Sequence, residues 1–206
     1  MEKLLKIPYT VFNEDWDLLQ QFLERRGNPR YELVGDVDLS EQDDIFDLGN
    51  LVNVDGNLNL SDSHIKSLGS LKYVNGDLFL YNTKIEFLTN LEYVVGDLIL
   101  FNSPIVSLGN LNRVVGDLYL EATPIQSLGN LEYVSETLYI NRSEIRSLGN
   151  LKYAESIHME DTKIKSFGNL NAVGSVIYIS ERNELPEEEI NKFKDKIQYQ
   201  SDMNPF

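Results

Sequence analysis

A word of about twenty residues recurs through this chain, and its leucines return in unbroken register at Leu51, Leu71, Leu91, Leu111, Leu131 and Leu151. In outline the word is L-x-Y-V-x-G-D-L-x-L-x-x-[ST]-x-I-x-S-L-G-N. A unit this short cannot bury its own apolar face, so it must stack on the units before and after it. The repeat therefore predicts a solenoid. It also separates the side chains that point inward from those left for solvent or a partner.

Apolar residues alternate in one stretch of every unit: Leu58 and Leu60, Leu78 and Leu80, Leu98 and Leu100, Leu118 and Leu120, Leu138 and Ile140. Period two places both on one face of a strand and the residue between them on the other. A Ser or Thr follows (Ser63, Thr83, Ser103, Thr123, Ser143, Thr162), and two places later an Ile. From there the apolar spacing becomes three, as in Ile105, Leu108, Leu111 and Val114, which suits a tight or 3₁₀-like return leg. Gly56, Gly76, Gly96 and Gly116 precede the strand, and Gly69, Gly109, Gly129 and Gly149 sit in the return, where the backbone must turn.

The core L-x-L-x-x-[ST]-x-I, followed by leucines at spacing three, resembles the leucine-rich repeat. The whole word is similar to the repeats of receptor L domains and to short-return repeats of bacterial or phage type. The resemblance covers Leu51 to Asn169 clearly, and Leu33 to Leu185 with degraded units. It implies a right-handed coil with one parallel sheet of about eight strands, one per repeat, and protein binding across that sheet. One departure is that Ser or Thr holds the position usually occupied by Asn. Their hydroxyls, and the Asn at the repeat ends (Asn50, Asn90, Asn110, Asn130, Asn150, Asn169), are candidates for hydrogen-bonded ladders between turns.

The flanks fit covers for the open ends of such a coil. Asn13, ahead of Glu14, Asp15 and the apolar pattern Trp16, Leu18, Leu19, Phe22, Leu23, has the place of a helix N-cap, and Gly27-Asn28-Pro29 is a stop. Pro186 opens a second short helix at Glu187-Glu188-Glu189-Ile190 and Phe193. The expected organisation is a single domain over 1–206. It divides into a helical cap at 1–30, repeats at 31–185 and a helical cap at 186–206.

In the strand, residues between the inward leucines line up in columns about 4.8 Å apart. The middle column runs Asn59, Phe79, Ile99, Tyr119, Tyr139, His158, Tyr178, and beside it run Ser61, Tyr81, Phe101, Glu121, Asn141, Glu160, Ser180. Phe79, Tyr81, Ile99, Phe101, Tyr119 and Tyr139 make one apolar patch rimmed by Asp77, Asp97, Asp117 and Glu121. Contiguous aromatic patches mark interaction sites, although cross-strand stacking is a second reason for them. For the Asp column a bond to turn amides, a basic partner and calcium all stay open. Tyr73, Tyr93, Tyr133 and Tyr153 form a further column ahead of the strand, with Arg113 among them.

Other chemistry is sparse. There are two histidines, no cysteine and no phosphate-binding glycine loop, so no metal centre or cofactor is expected. His158 with Glu160 is the single dyad-like pair on the patch, which leaves a hydrolase as a further alternative. The formal charge of −15 disfavours nucleic acid and anionic membranes. No segment has the makings of a signal or a membrane span, and a cytoplasmic location is expected. The expected function is a non-enzymatic protein-interaction module acting by occupancy, as inhibitor, adaptor or scaffold. One alternative is a small acidic inhibitor of phage or mobile-element type directed at a basic, nucleic-acid-handling defence protein. Self-association through the aromatic face is another use of the same surface.

Overall fold

The computed structural model describes residues 4–200. Residues 1–3 and 201–206, the outer ends of the two expected caps, lie outside the described residues. The chain is a parallel β-solenoid of about eight turns with two short helices, Trp16–Glu24 (α1) and Glu187–Lys192 (α2). Six side chains per turn fill its interior; in one turn these are Leu71, Val74, Leu78, Leu80, Ile85 and Leu88, all without solvent exposure. The turns before and after repeat the same set, so the middle of the core is a stack of identical aliphatic layers, while the turn after Leu151 substitutes Ala154, Met159 and Phe167.

The expectation of one strand per repeat is corrected. Each repeat contributes two short segments, such as Tyr73–Val74 and Leu78–Phe79, separated by Asn75-Gly76-Asp77. The first segments stack into one ladder and the second into another. The ladders join into a single sheet where Tyr133–Tyr139 and Tyr153–His158 run unbroken through both. The Gly-Asp pair makes the corner. Asp77 Oδ1 accepts the Asp97 N–H of the next turn at 2.8 Å, so a side chain takes a donor that a ladder carbonyl would otherwise take. A Cβ on Gly96 would sit well inside contact distance of Asp77 Oδ1 and the Gly76 backbone, which is why glycine precedes the aspartate. Where the pair is replaced by Glu136-Thr137, the strand continues through. The repeat that is one residue short is absorbed there too, as a register shift between Val134 and Thr137.

A third side closes each turn and in places pairs with that of the next turn, at Asp47 with Ser67, Phe87 with Ser107 and Ser147 with Ser166. Its turns place Gly69 and Gly109 in the left-handed region, at φ 56° and 59°, and Thr89 holds the equivalent position at φ 41°. Of the two candidate ladders, the asparagines bridge turns. Asn90 and Asn150 donate to the Gly69 and Gly129 carbonyls of the preceding turn at 2.8 and 2.9 Å. The hydroxyls mostly serve their own turn instead. Thr83 and Thr123 donate to the Leu80 and Leu120 carbonyls at 2.8 and 2.7 Å, and Ser103 alone reaches back to Leu80, at 2.5 Å.

Both ends carry strands as well as helices. Leu5–Pro8 pairs with Tyr31–Val34, then a 3₁₀ turn at Tyr9–Phe12 leads into α1, whose Trp16, Leu19 and Leu23 close the core. The N-cap is Asp15, accepting the Leu18 N–H at 2.9 Å, and not Asn13. Asn13 and Glu14 both adopt positive φ to reverse the chain, so the helix cannot begin there. At the other end, buried Glu189 of α2 accepts the Phe167 N–H at 2.7 Å, and Phe193 meets Phe167 edge-to-face. A strand the periodicity did not announce, Ile197–Gln200, then pairs with Ile177–Ser180. No helix among the described residues is long and apolar enough to cross a membrane.

Candidate protein-binding face

The second ladder brings the expected site residues together. Asn59, Phe79, Ile99, Tyr119, Tyr139, His158 and Tyr178 are aligned partners in successive strands, so the middle column exists as the repeat implied. Because strand pairing sets the separation, adjacent rings stack. Tyr119 and Tyr139 lie 4.7 Å apart with planes 6° from parallel, Tyr139 and His158 4.8 Å apart, and His158 and Tyr178 4.4 Å apart. In the next column Tyr81 and Phe101 form a separate stacked pair at 5.1 Å. The patch therefore reaches two turns beyond Tyr139, through His158 and Tyr178.

Both reasons for an aromatic patch thus operate at once. Within the four-ring column the ring faces cover one another, and those side chains are half-buried. Tyr119 is held further by its hydroxyl, which donates to Asp117 Oδ2 at 3.0 Å, and burial and that carboxylate raise its pKa. Phe101 differs. It is 36 % exposed at the end of its pair, the most open ring of the patch.

The Asp column has a definite structural use. Asn57, Asp77, Asp97 and Asp117 each present Oδ1 to the amide of the next turn, at 2.8, 2.8, 2.8 and 2.7 Å. Among the alternatives left open by the sequence, a hydrogen bond from a backbone amide is made, though from the following turn and not within the same one. Among the described residues no group of three or more His, Asp and Glu is placed to hold a metal.

Glu121 and Glu160 stand in one column with Asn141 between them. Each has a buried Oε2 with no hydrogen-bond partner. Burial pushes the Glu121 carboxyl above its ordinary range. Glu160 Oε1 lies 3.4 Å from His158 Nδ1. The sequence pattern grouped these residues but gave no sign that two carboxylate oxygens would be desolvated without a donor.

Elsewhere the surface is mixed in charge. Two tyrosines of the first ladder bond locally: Tyr73 donates to Glu92 at 2.8 Å and Tyr153 to Glu155 at 2.6 Å. Arg113 lies over Tyr133 at 5.3 Å, and Lys72 and Lys152 pair with Glu92 and Glu132. The third side carries an open cavity of about 680 Å³ between Phe46, Lys66, Lys84 and Phe87, which periodicity did not single out. No protein-family model matches the chain, and no curated protein matches it either.

Proposed function

We propose that this chain is a leucine-rich-repeat-like, non-catalytic binding module that holds a protein partner against the second ladder and acts by occupancy, as an inhibitor, adaptor or scaffold. The observation that carries this reading is the continuous apolar strip that runs from Phe79 through Ile99 and four stacked rings to Tyr178 on the outer face of the sheet. Its side chains are prearranged by strand pairing and by each other, so little conformational entropy is lost when a partner covers them. Phe79, Tyr81, Ile99, Phe101, Tyr119 and Tyr139 form the centre, with Asp77, Asp97, Asp117 and Glu121 along its borders. His158, the lone base candidate there, has both ring faces occupied by Tyr139 and Tyr178. That supports a packing role over a catalytic one.

The test is capture of partners from a lysate of the source cells on the immobilised chain, followed by affinity measurement with Phe101→Ala. Affinity should drop by about 2 kcal/mol or more, as for a central hot spot. A Phe101→Ala variant that folds normally and binds its captured partner undiminished would move the contact off this face.

A further inference from the structure

The solenoid sorts its charges by side, and one side carries no lysine or arginine in its outward columns. Across the three outward columns of the second ladder, from Asn57 to Ser180, stand Asp77, Asp97, Asp117, Glu121 and Glu160, and no lysine or arginine. The other two sides differ. On the first ladder Lys72 pairs with Glu92 and Lys152 with Glu132, and on the third side Lys163 pairs with Glu144. The chain has 18 Lys and Arg to distribute, yet the face that is otherwise aromatic receives none between those limits.

A second observation comes from Glu121 and Glu160 themselves. The Glu160 side chain is 17 % exposed, Glu121 is half-buried, and both keep an Oε2 that meets neither water nor a donor. Desolvating a carboxylate without a donor is unfavourable. The aromatic columns enforce it here, because the Tyr119, Tyr139 and His158 rings stand beside these carboxylates in the neighbouring column. The two lie two turns apart, roughly 10 Å along the stack, with neutral Asn141 between. Glu160 Oε1 lies 3.4 Å from His158 Nδ1, so a histidine is the one basic side chain these columns offer, and no lysine or arginine among them offsets the carboxylates.

Resting on the interaction face described above, we propose that its partner presents a basic polypeptide segment, with arginine or lysine side chains seated against Glu121 and Glu160. A cation there supplies the missing charge, and it reaches each carboxylate from the face by one oxygen, because Oε2 of each is buried within the chain. The occupant is a basic protein and not a second copy of this chain, which would set carboxylates against carboxylates. Nucleic acid and anionic lipid are repelled for the same reason. The remaining Asp column, at one strand spacing, extends the attraction along the face and accelerates encounter.

The experiment uses the full chain with a nona-arginine peptide, mapped by amide chemical shifts and titrated at physiological salt. Two double variants carry equal loss of charge: Glu121→Gln with Glu160→Gln on the face, and Glu187→Gln with Glu188→Gln on exposed positions of α2. Glutamine keeps the shape of each side chain, and melting curves establish that both variants are folded. Perturbed amides on the second ladder, with affinity lowered at least tenfold by the face pair and less than twofold by the α2 pair, are the expected result. Equal loss in the two variants would reduce the effect to diffuse attraction and overturn the proposal, as would shifts confined to another side. The broader reading is tested separately by Phe101→Ala, which keeps every carboxylate. A captured partner that depends on Phe101 but ignores the face pair would retain the interaction face and remove the basic segment.

Discussion

Asp97 offers a clean test of how the corner between the two ladders is held. Its Oδ1 accepts the Asp117 N–H at 2.8 Å, while its own N–H is taken by Asp77 Oδ1 at the same distance. Replacing it by Ala and by Asn separates charge from hydrogen bonding, because both remove the charge and only Asn keeps an acceptor. Asn57 already performs that service for Asp77 in this column, at 2.8 Å. Like charges one strand spacing apart repel by about 1 kcal/mol per neighbouring pair at the dielectric of water, less in salt. Relief of that repulsion roughly cancels the weaker bond of a neutral acceptor, so Asp97→Asn should lie close to the natural chain. Asp97→Ala gains the same relief but leaves the Asp117 amide without a partner, at about 1–3 kcal/mol. The two variants should therefore differ by about 1–2 kcal/mol, which in a chain of this size is roughly 3–6 °C in melting temperature. Thermal melts followed by circular dichroism at low and high salt will measure it. If Asp97→Ala and Asp97→Asn melt together, the side-chain ladder does not hold the corner.

Gly96→Ala should be more severe, destabilising by about 3 kcal/mol, because its Cβ meets Gly76 backbone that cannot move aside; urea titration will show it. Tyr139→Ala removes stacking on two sides, at 4.7 and 4.8 Å, and should lower stability by about 1–3 kcal/mol. Phe101→Ala should lower it by less, so Phe101 is the better probe of binding. Thr89→Gly relieves a threonine at φ 41° and should stabilise by about 1 kcal/mol in the same assay. Glu121→Gln should raise the melting temperature at neutral pH. The folded carboxyl titrates above its unfolded counterpart, so its ionised form opposes folding once the pH exceeds the folded value. That penalty is full above the folded value and fades as the pH falls from there to the unfolded value, below which the advantage of Gln should vanish. An advantage that persists in acid would show that charge is not its origin.

What was legible in the sequence is what a one-dimensional period can carry. Leu51, Leu71, Leu91, Leu111, Leu131 and Leu151 recur because every turn buries the same position, and all are without exposure. The aromatic column followed from the same register, since residues twenty apart must lie one strand apart once the turns stack. The sequence did not show that the Gly-Asp pair divides each strand in two. That depends on a side-chain oxygen reaching an amide in the next turn, a contact no local propensity encodes. The extra strand Ile197–Gln200 was hidden too, because it is held by pairing with Ile177–Ser180 and belongs to no repeat. Likewise, Glu121 and Glu160 look like any surface carboxylates in the sequence. Only stacking beside Tyr119, Tyr139 and His158 strips water from one oxygen of each, because desolvation belongs to the packed neighbours of a group and not to the group itself.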